Sequence, residues 1–288
     1  MVWVNAVVQG ILLGGLYALM AAGLSLVFGV MRLVNLAHGD LGVLAAFVAL
    51  FLSDHFSLSP WISLAVVAAL MAALGFVLQM GLLNFTLDND LSPLLATFGL
   101  AVIIQNVLLE GWSADAQALN VGPFQTESIH VASQISIGWF PLVTLIAAVA
   151  VLGGLQLVLS YTALGRALRA TSDDRRAVQL VGIDNRRIYG VAMALSLATA
   201  AVAGIFLGIR TIFTPSAGPV RLIFAFEAVI IGGLGSLWGT LVGGVVLGVA
   251  QTVGAQISPG WGVLAGHLVF LAVLLVRPTG LFPRTAVA

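Results

Sequence analysis

Cysteine and lysine are both missing from this 288-residue chain. Without cysteine there is no disulfide and no thiolate metal site, and the redox compartment is left undetermined. Without lysine, each of the 11 cationic side chains is an arginine, a bias that nothing in the sequence explains. Charge of either sign is scarce, at 8% of residues against roughly 25% in an ordinary soluble domain. The formal net charge is +0, so no basic surface invites nucleic acid. Motifs of chemistry are missing too. There is no HExxH and no GxSxG, which argues against an intramembrane hydrolase. There is no GxxxxGK[ST] phosphate loop either, so the chain cannot hydrolyse ATP by that route.

What remains is hydrocarbon. The chain is 60% hydrophobic with a mean hydropathy of +1.13, the composition of a polytopic membrane protein. A bilayer core of about 30 Å needs about 20 apolar residues of helix. Predominantly apolar runs near that length fall at 6–31, 38–53, 60–86, 91–109, 138–160, 188–209, 221–235, 237–257 and 262–277. The second and seventh are short or interrupted, so about eight or nine transmembrane helices are expected. The first run has no basic region before it and is too long for a signal peptide, so it should stay as a spanning helix. Backbone in lipid must satisfy its own hydrogen bonds, and the ten-residue alternation of a barrel is absent. The expected fold class is therefore an all-α integral membrane protein, with residues 1–288 as a single transmembrane domain.

Arginine sets the orientation. The connection 161–189 carries six of the arginines (Arg166, Arg169, Arg175, Arg176, Arg186 and Arg187) and is expected to face the cytoplasm. Counting spans outward puts Arg32, Arg277 and Arg284 on the same side, with the N-terminus outside and the C-terminus inside. Arg210 and Arg221 then fall on the outer side as exceptions. The loop 110–138 becomes the longest external segment, and Ser128 to Ile137 alternates weakly like a short strand pair. It reads as a solvated connector or as a docking surface for an external partner.

Two stretches carry polar groups into the apolar runs. In VNLAHGDLG (34–42), Asn35, His38 and Asp40 lie between hydrophobic segments, with Gly39 permitting irregular backbone. Such groups at a membrane boundary are costly unless paired or wet. They mark either a pathway and helix break, or an interfacial turn in which Asp40 caps the next helix. His38 has no second histidine at ligand spacing, so no metal site is expected. In IFAFEAVIIGGLGSLW (223–238), Glu227 sits inside an apolar run. An ionised carboxylate there costs roughly 2.5 to 3.5 kcal/mol on insertion scales, so it should be protonated, partnered or facing water. It serves either the pathway or a bond to a neighbouring helix. Gly232, Gly233 and Gly235 follow and could unwind the helix beside a cavity. Gly235, Gly239 and Gly243, then Gly244 and Gly248, recur at four-residue spacing, as do Gly10 and Gly14, and should pack helices closely. The interruptions around Gly39 and Gly233 suggest an internal structural repeat.

The charged block 164–189 reads differently. Thr171 or Ser172 is placed to cap a helix from Asp173 to Val181 whose first turn holds Asp173 and Asp174, with Gly182 as the residue that ends it. That helix would bury Ala177, Val178, Leu180 and Val181 and turn its arginines outward. Standing alone it is too short to be stable, so it should dock onto another protein. The simpler alternative is that the arginines only enforce topology.

With these residues in view, the chain resembles the permease subunits of branched-chain amino acid ABC importers, the hydrophobic amino acid uptake family. The resemblance spans essentially the whole chain and rests on GGLYALMAAGLSLVFGVMRLVNLAHGD (14–40), LGRALRATSDDRRAVQLVGI (164–183) and EAVIIGGLGSLWGTLVGG (227–244). It implies a subunit of the bacterial inner membrane that works with a second, similar permease, two cytoplasmic ATPases and a periplasmic binding protein. ATP and magnesium would be bound by the ATPases, and no cofactor by this chain. Gly165, Arg166, Arg169, Ala170, Asp173, Asp174, Ala177, Gly182 and Ile183 would form the segment that couples to an ATPase. Asn35, His38, Gly39, Asp40, Glu227, Gly232, Gly233 and Gly235 would border the translocation pathway. Related systems carry leucine, isoleucine and valine, while others take urea, amides or aromatic acids. An ATP-independent transporter using Glu227 or Asp40 as a proton or ion site is the alternative.

Overall fold

The computed structural model describes residues 2–87, 91–132 and 135–282; Arg284, assigned above to the cytoplasmic side, lies outside them. In chain order the helices are α1 (Val2–Met31), α2 (His38–Phe56), α3 (Pro60–Gly81), α4 (Leu91–Trp112), α5 (Trp139–Tyr161), α6 (Ala163–Asp173), α7 (Arg175–Leu180), α8 (Asn185–Arg210), α9 (Gly218–Gly232), α10 (Leu237–Ile257) and α11 (Trp261–Val276). Each of the nine apolar runs has become a helix, and the described residues are all-α apart from one hairpin. Seven of the helices (α1, α2, α3, α4, α5, α8 and α10) are long and apolar enough to cross a membrane. The other two apolar helices, α9 with 15 residues and α11 with 16, are shorter.

Burial separates the helices into a centre and a rim. The apolar windows of α1 and α8 are 83% and 78% buried within the protein, against 22% for α3 and α5. The outward faces of the rim helices carry Leu70, Val77, Ile103, Val107, Ile146 and Leu157, side chains suited to hydrocarbon. Helices in lipid gain little from burying apolar surface against each other, so close backbone approach has to hold them. The glycine stripes do this. Gly10 and Gly14 of α1 lie against Val249 and Val245 of α10, and Gly244 and Gly248 of α10 lie against α1 in return. Gly239 and Gly243 meet Gly232 and Ala228 of α9.

The second span is broken as expected, and the break has a clear geometry. After α1 ends, residues 32–37 are non-helical, and the first residue of α2, His38, brings its ring against the Met20 carbonyl at 3.2 Å. Met20 lies about 17 Å, at 1.5 Å per residue, before the end of α1. Five residues of extended chain cover about that distance. The chain therefore doubles back inside the protein and starts α2 at membrane depth. Exposed non-helical backbone is not tolerated there; Leu33, Asn35 and Ala37 are buried.

A second break sits elsewhere than expected. Thr211 to Ala217 leaves the end of α8, pairs Phe213 with Gln117 through two backbone hydrogen bonds of 2.9 Å, and delivers Gly218, the start of α9, against Asp40. So α2 and α9 begin side by side at the same depth. They then run to opposite ends, α2 toward Asn120 and Val121, α9 toward Gly280 to Phe282. The internal repeat is thus a long helix, a re-entrant strand-like stretch and a second helix, occurring twice in inverted sense. Its second interruption is at 211–217 rather than at Gly233. Gly233 (φ 109°) and Gly235 (φ 79°) instead form the turn between α9 and α10, which Ser236 completes by accepting the Gly239 N–H at 3.1 Å.

Between α4 and α5, the strands β1 (Ser128–Ala132) and β2 (Ile135–Gly138) form an antiparallel pair with Ser128 opposite Gly138, as the alternation suggested. Gln9 of α1 ties to this hairpin through the Ser136 carbonyl at 2.6 Å.

Candidate functional site

Two places gather polar groups: the junction where α2 and α9 begin, and the arginine-rich end formed by α6 and α7.

At the junction, each polar group is held by a specific partner. Asn35 accepts the Ala37 N–H at 3.0 Å through its side-chain oxygen, an Asx turn that fixes the sharp entry into α2. Leu36 donates its N–H to Thr97 Oγ1 of α4 at 3.2 Å. His38 is 4% exposed; with Nε2 donating to Met20, its Nδ1 is buried with no partner among the described residues. Asp40 is 1% exposed and accepts the Gln105 side-chain N–H at 2.9 Å. Its carboxylate lies against Gly218, between the N-terminal ends of two helices, where partial positive charge favours an anion. Asp40 does not cap α2. The cap position is Ala37, without a side-chain bond, and Asp40 sits in the first turn.

A second layer of the junction was not legible as a cluster in the sequence. Tyr17 of α1 donates its hydroxyl to Gln251 of α10 at 2.5 Å and packs on Phe224 with ring centroids 5.3 Å apart. Arg210 Nη1 and Arg221 Nε are each buried with no hydrogen-bond partner among the described residues. These two arginines, expected as outer-side exceptions, occupy the last residue of α8 and the first turn of α9. Glu227, 5% exposed, meets His267 of α11 through Oε1 and Nδ1, while its Oε2 is buried with no partner among the described residues. Gly232, Gly233 and Gly235 stand at the far end of α9 and are not part of the junction. Gly232 packs against Gly239, and the 232–235 turn is closed by Leu281 and Phe282, which donate to the carbonyls of Ile231 and Gly232 at 2.9 Å.

The charged block folds as two helices rather than one. The helix α6 is capped by Thr162, whose hydroxyl accepts the Gly165 N–H at 3.0 Å. Gly165 is buried against the carbonyls of Val158 and Leu159, so no larger residue fits. Thr171 and Ser172, expected as caps, lie inside α6: Thr171 bonds back to Ala167, and Ser172 donates to the Gly29 carbonyl of α1 at 2.8 Å. Asp173 is the last residue of α6 and exposed. The cap of α7 is Asp174, which accepts the N–H groups of Arg176 and Ala177 at 2.8 and 3.1 Å. Those donors, Ala177 first, hold its carboxyl below the ordinary 3.8.

The end of α7 agrees with expectation. Gly182 (φ 85°) donates to Gln179, and Ile183 to Val178, at 3.0 and 3.2 Å, the paired bonds of a Schellman termination. The buried face does not agree. Of the four apolar residues assigned to it, Val178 is buried, whereas Ala177 is exposed and Leu180 and Val181 are 89% and 75% exposed. A six-residue helix has barely two turns, and only one apolar residue can face the body. The arginines divide as well. Arg169 binds the Leu159 carbonyl at the end of α5, and Arg175 lies over the Tyr189 ring at 5.2 Å, while Arg166, Arg176, Arg186 and Arg187 are exposed.

Among the described residues no group of three or more His, Cys, Asp or Glu could hold a metal ion. The site is thus a junction where two helices begin side by side inside the protein and a fastened, arginine-fringed end, which is the build of a membrane transport subunit. The family model for the branched-chain amino acid transport system permease component matches residues 6–276, and the chain belongs to that family. It is 31% identical to the high-affinity branched-chain amino acid transport system permease protein BraD of Pseudomonas aeruginosa, covering 99% of this chain and 97% of that one. It is 28% identical to the permease protein LivH of Escherichia coli, covering 97% and 95%. Among solved structures, PsaBC from Streptococcus pneumoniae in complex with Fab shares the fold, with a TM-score of 0.51 and 14% identity over 94% of this chain and 91% of that chain. The protein is a multi-pass membrane permease subunit and not an enzyme.

Proposed function

We propose that this chain is the membrane-spanning subunit of an ATP-driven importer of branched-chain or other hydrophobic and neutral amino acids in a bacterial inner membrane. A second, similar permease would complete the pathway, two cytoplasmic ATPases would bind ATP and magnesium, and an external binding protein would deliver substrate. The α6–α7 end then faces the cytoplasm and the β1–β2 hairpin faces outward.

The observation that carries this reading is the pairing of exposure with anchorage at α6 and α7. Leu180 and Val181 are exposed apolar side chains at the end of a capped helix, flanked by exposed arginines, as a docking surface would be. The same unit is tied to α1 by Ser172, to α5 by Arg169, and to the start of α8 by the Asn185 side chain, which donates to the Arg175 carbonyl at 2.8 Å. A partner that moves this unit therefore pulls on the two central helices and on α5. The thermodynamic requirement is that the ATPase bind two permease states with different affinity. Gly165, Arg166, Arg169, Ala170, Asp173, Asp174, Ala177, Gly182 and Ile183 supply the shape of this coupling unit. Asn35, His38, Gly39, Asp40 and Glu227 line or shape the pathway at the junction.

The test is co-purification. Leu180→Asp with Val181→Asp, and separately Arg166→Glu with Arg176→Glu, should release the ATPase subunits while the permease stays in the membrane. Recovery of an unchanged complex from both variants would defeat the docking surface. Uptake by the isolated subunit without ATP would instead support an ATP-independent transporter.

A further inference from the structure

A cavity of about 290 Å³ opens at the α6 end of the protein, between α1, α5, α6 and the start of α10. That is far more than one water needs, whose share of liquid volume is about 30 Å³. Among the described residues no Asp or Glu lines it, and Arg169 supplies its one charged side chain. Arg169 gives an N–H to the Leu159 carbonyl, and a guanidinium has others to offer. Ser25 of α1 is 0% exposed, and its Oγ has no hydrogen-bond partner among the described residues. Gln156 of α5 is half-buried, with its side-chain N–H on Ser160 Oγ at 3.0 Å. The remaining wall is the beginning of α10, from Ser236 to Trp238. Ser236 accepts the Gly239 N–H through its hydroxyl and the Thr240 N–H through its carbonyl, at 3.1 and 2.8 Å. The N–H groups of Leu237 and Trp238 belong to the first turn, so the helix itself offers them no acceptor. They stand at the positive end of a 21-residue helix.

A guanidinium, a buried hydroxyl and the first turn of a long helix therefore border one cavity with no acid among them, which is the chemistry of a phosphate site. The rim indicates where the phosphate comes from. Trp238 is 48% exposed, and Leu157, next to Gln156 on the outward side of α5, is 59% exposed. An aromatic ring beside an apolar helix face is the arrangement found at headgroup level in a bilayer. We propose that the cavity between α1, α5, α6 and α10 binds the phosphate of an anionic phospholipid, phosphatidylglycerol, from the leaflet at the α6 end. Its acyl chains lie along the outward face of α5. Phosphatidylethanolamine fits less well, because its ammonium group would find no carboxylate on the wall. Basic pockets between membrane helices are a recurring place for anionic headgroups. A phosphate held here links Arg169 to the start of α10, and so fastens the arginine-rich unit to a further helix besides α1, α5 and α8. The importer reading enters only in naming that leaflet as the cytoplasmic one.

The test is thermal unfolding of the purified full-length chain in detergent, alone and assembled in its importer, during titration with lipid. The additions are dioleoyl phosphatidylglycerol, dioleoyl phosphatidylethanolamine, glycerol phosphate and inorganic phosphate. Phosphatidylglycerol should raise Tm and half-saturate at about tenfold lower concentration than phosphatidylethanolamine, while the two soluble phosphates do nothing at that concentration. Ser25→Ala removes a hydroxyl that has no partner in the chain, so it should unfold as the native chain does without lipid, yet need about fivefold more phosphatidylglycerol. Gln156→Glu sets a carboxylate beside the phosphate and should weaken the response by about tenfold or more, whereas Gln156→Lys should keep or strengthen it. Equal responses to the two lipids, or a native response to phosphatidylglycerol in both Ser25→Ala and Gln156→Glu, would overturn the site. Saturation by inorganic phosphate at the same concentration would overturn the lipid as its occupant in favour of a soluble anion. A response of the lone chain that vanishes in the assembled importer would overturn it as well, since another subunit would then cover the cavity. Should Gln156→Glu fail to fold, Ser25→Ala and the comparison of the two lipids still decide. Lipid binding needs no ATPase, so failure of the co-purification test above would remove the importer reading and leave this site standing.

Discussion

Gly39 of α2 and Gly218 of α9 meet backbone to backbone, with no room for a side chain on Gly39 beside the Gly218 carbonyl. Their contact is the hinge of the inverted repeat, since each stands at the first turn of a helix that starts at membrane depth. Gly39→Ala should cost about 1–3 kcal/mol, the usual range for overpacking. The controls are Gly99→Ala and Gly154→Ala, where nothing lies within 4 Å of the added carbon and stability should hold or rise by about 0.5–1 kcal/mol. Thermal unfolding of the purified variants in detergent separates the two classes.

The re-entrant stretch before α2 depends on a bond from another helix. Thr97 Oγ1 accepts the Leu36 N–H at 3.2 Å and donates to the Pro93 carbonyl at 2.8 Å. Thr97→Val keeps the volume but strands a backbone donor inside the protein, a loss of about 1–3 kcal/mol. Thr97→Ser should preserve most of the stability. Faster hydrogen exchange at residues 33–37 in the valine variant, with the serine variant near the native rate, is the expected pattern.

Glu227 and His267 should behave as one unit. Because Glu227 Oε1 meets His267 Nδ1, the effects of Glu227→Ala and His267→Ala on unfolding should not add. The coupling expected for side chains in contact is about 0.5–3 kcal/mol. Strict additivity in the double variant would mean that the pair carries no shared energy. Glu227→Gln asks the separate functional question, and normal uptake at every pH would leave the carboxylate a purely structural role.

Asp174 sets a pH dependence for the arginine-rich end. Its carboxyl is held below the ordinary 3.8 by the Ala177 and Arg176 N–H groups. A carboxyl with a depressed folded-state pKa stabilises at pH values above its unfolded value, and that contribution disappears as pH falls through the folded value. The cap is therefore whole at neutral pH and is lost only in acid below 3.8. Asp174→Ala should increase hydrogen exchange across residues 175–183 at pH 7, with the difference from the native chain closing in acid. An equal exchange rate at pH 7 would show that α7 does not need its cap.

Much of this architecture was readable in linear form because the bilayer leaves so few options. A long apolar run has to be a helix, and each of the nine runs is one. The glycine stripes announced close packing, and Gly182 announced the end of α7. The re-entrant break at 32–37 was signalled by Asn35, His38 and Asp40, which are expensive in an apolar run. The matching break at 211–217 is flanked by Arg210 and Arg221, which in the sequence read only as exceptions to the charge asymmetry, and the glycines at 233 and 235 drew attention to an ordinary turn. On α6 and α7 the sequence offered several capping residues in a row. Thr162 and Asp174 won because the geometry of α5 above and of α8 below fixes where each helix can start.

The sequence by itself determined the class of protein, its helical content and the polar stretch that interrupts the second span, because the cost of polar groups and unpaired backbone in lipid is local and large. It also held the motifs by which the family is recognised. Only the tertiary structure decided which polar residues meet. Tyr17 and Gln251 are far apart in the chain, and Glu227 and His267 are on different helices. Periodicity gives a residue its face on one helix but not the partner that this face will touch. That choice is made by backbone contacts between helices, such as Gly39 on Gly218 and Gly14 on Val245.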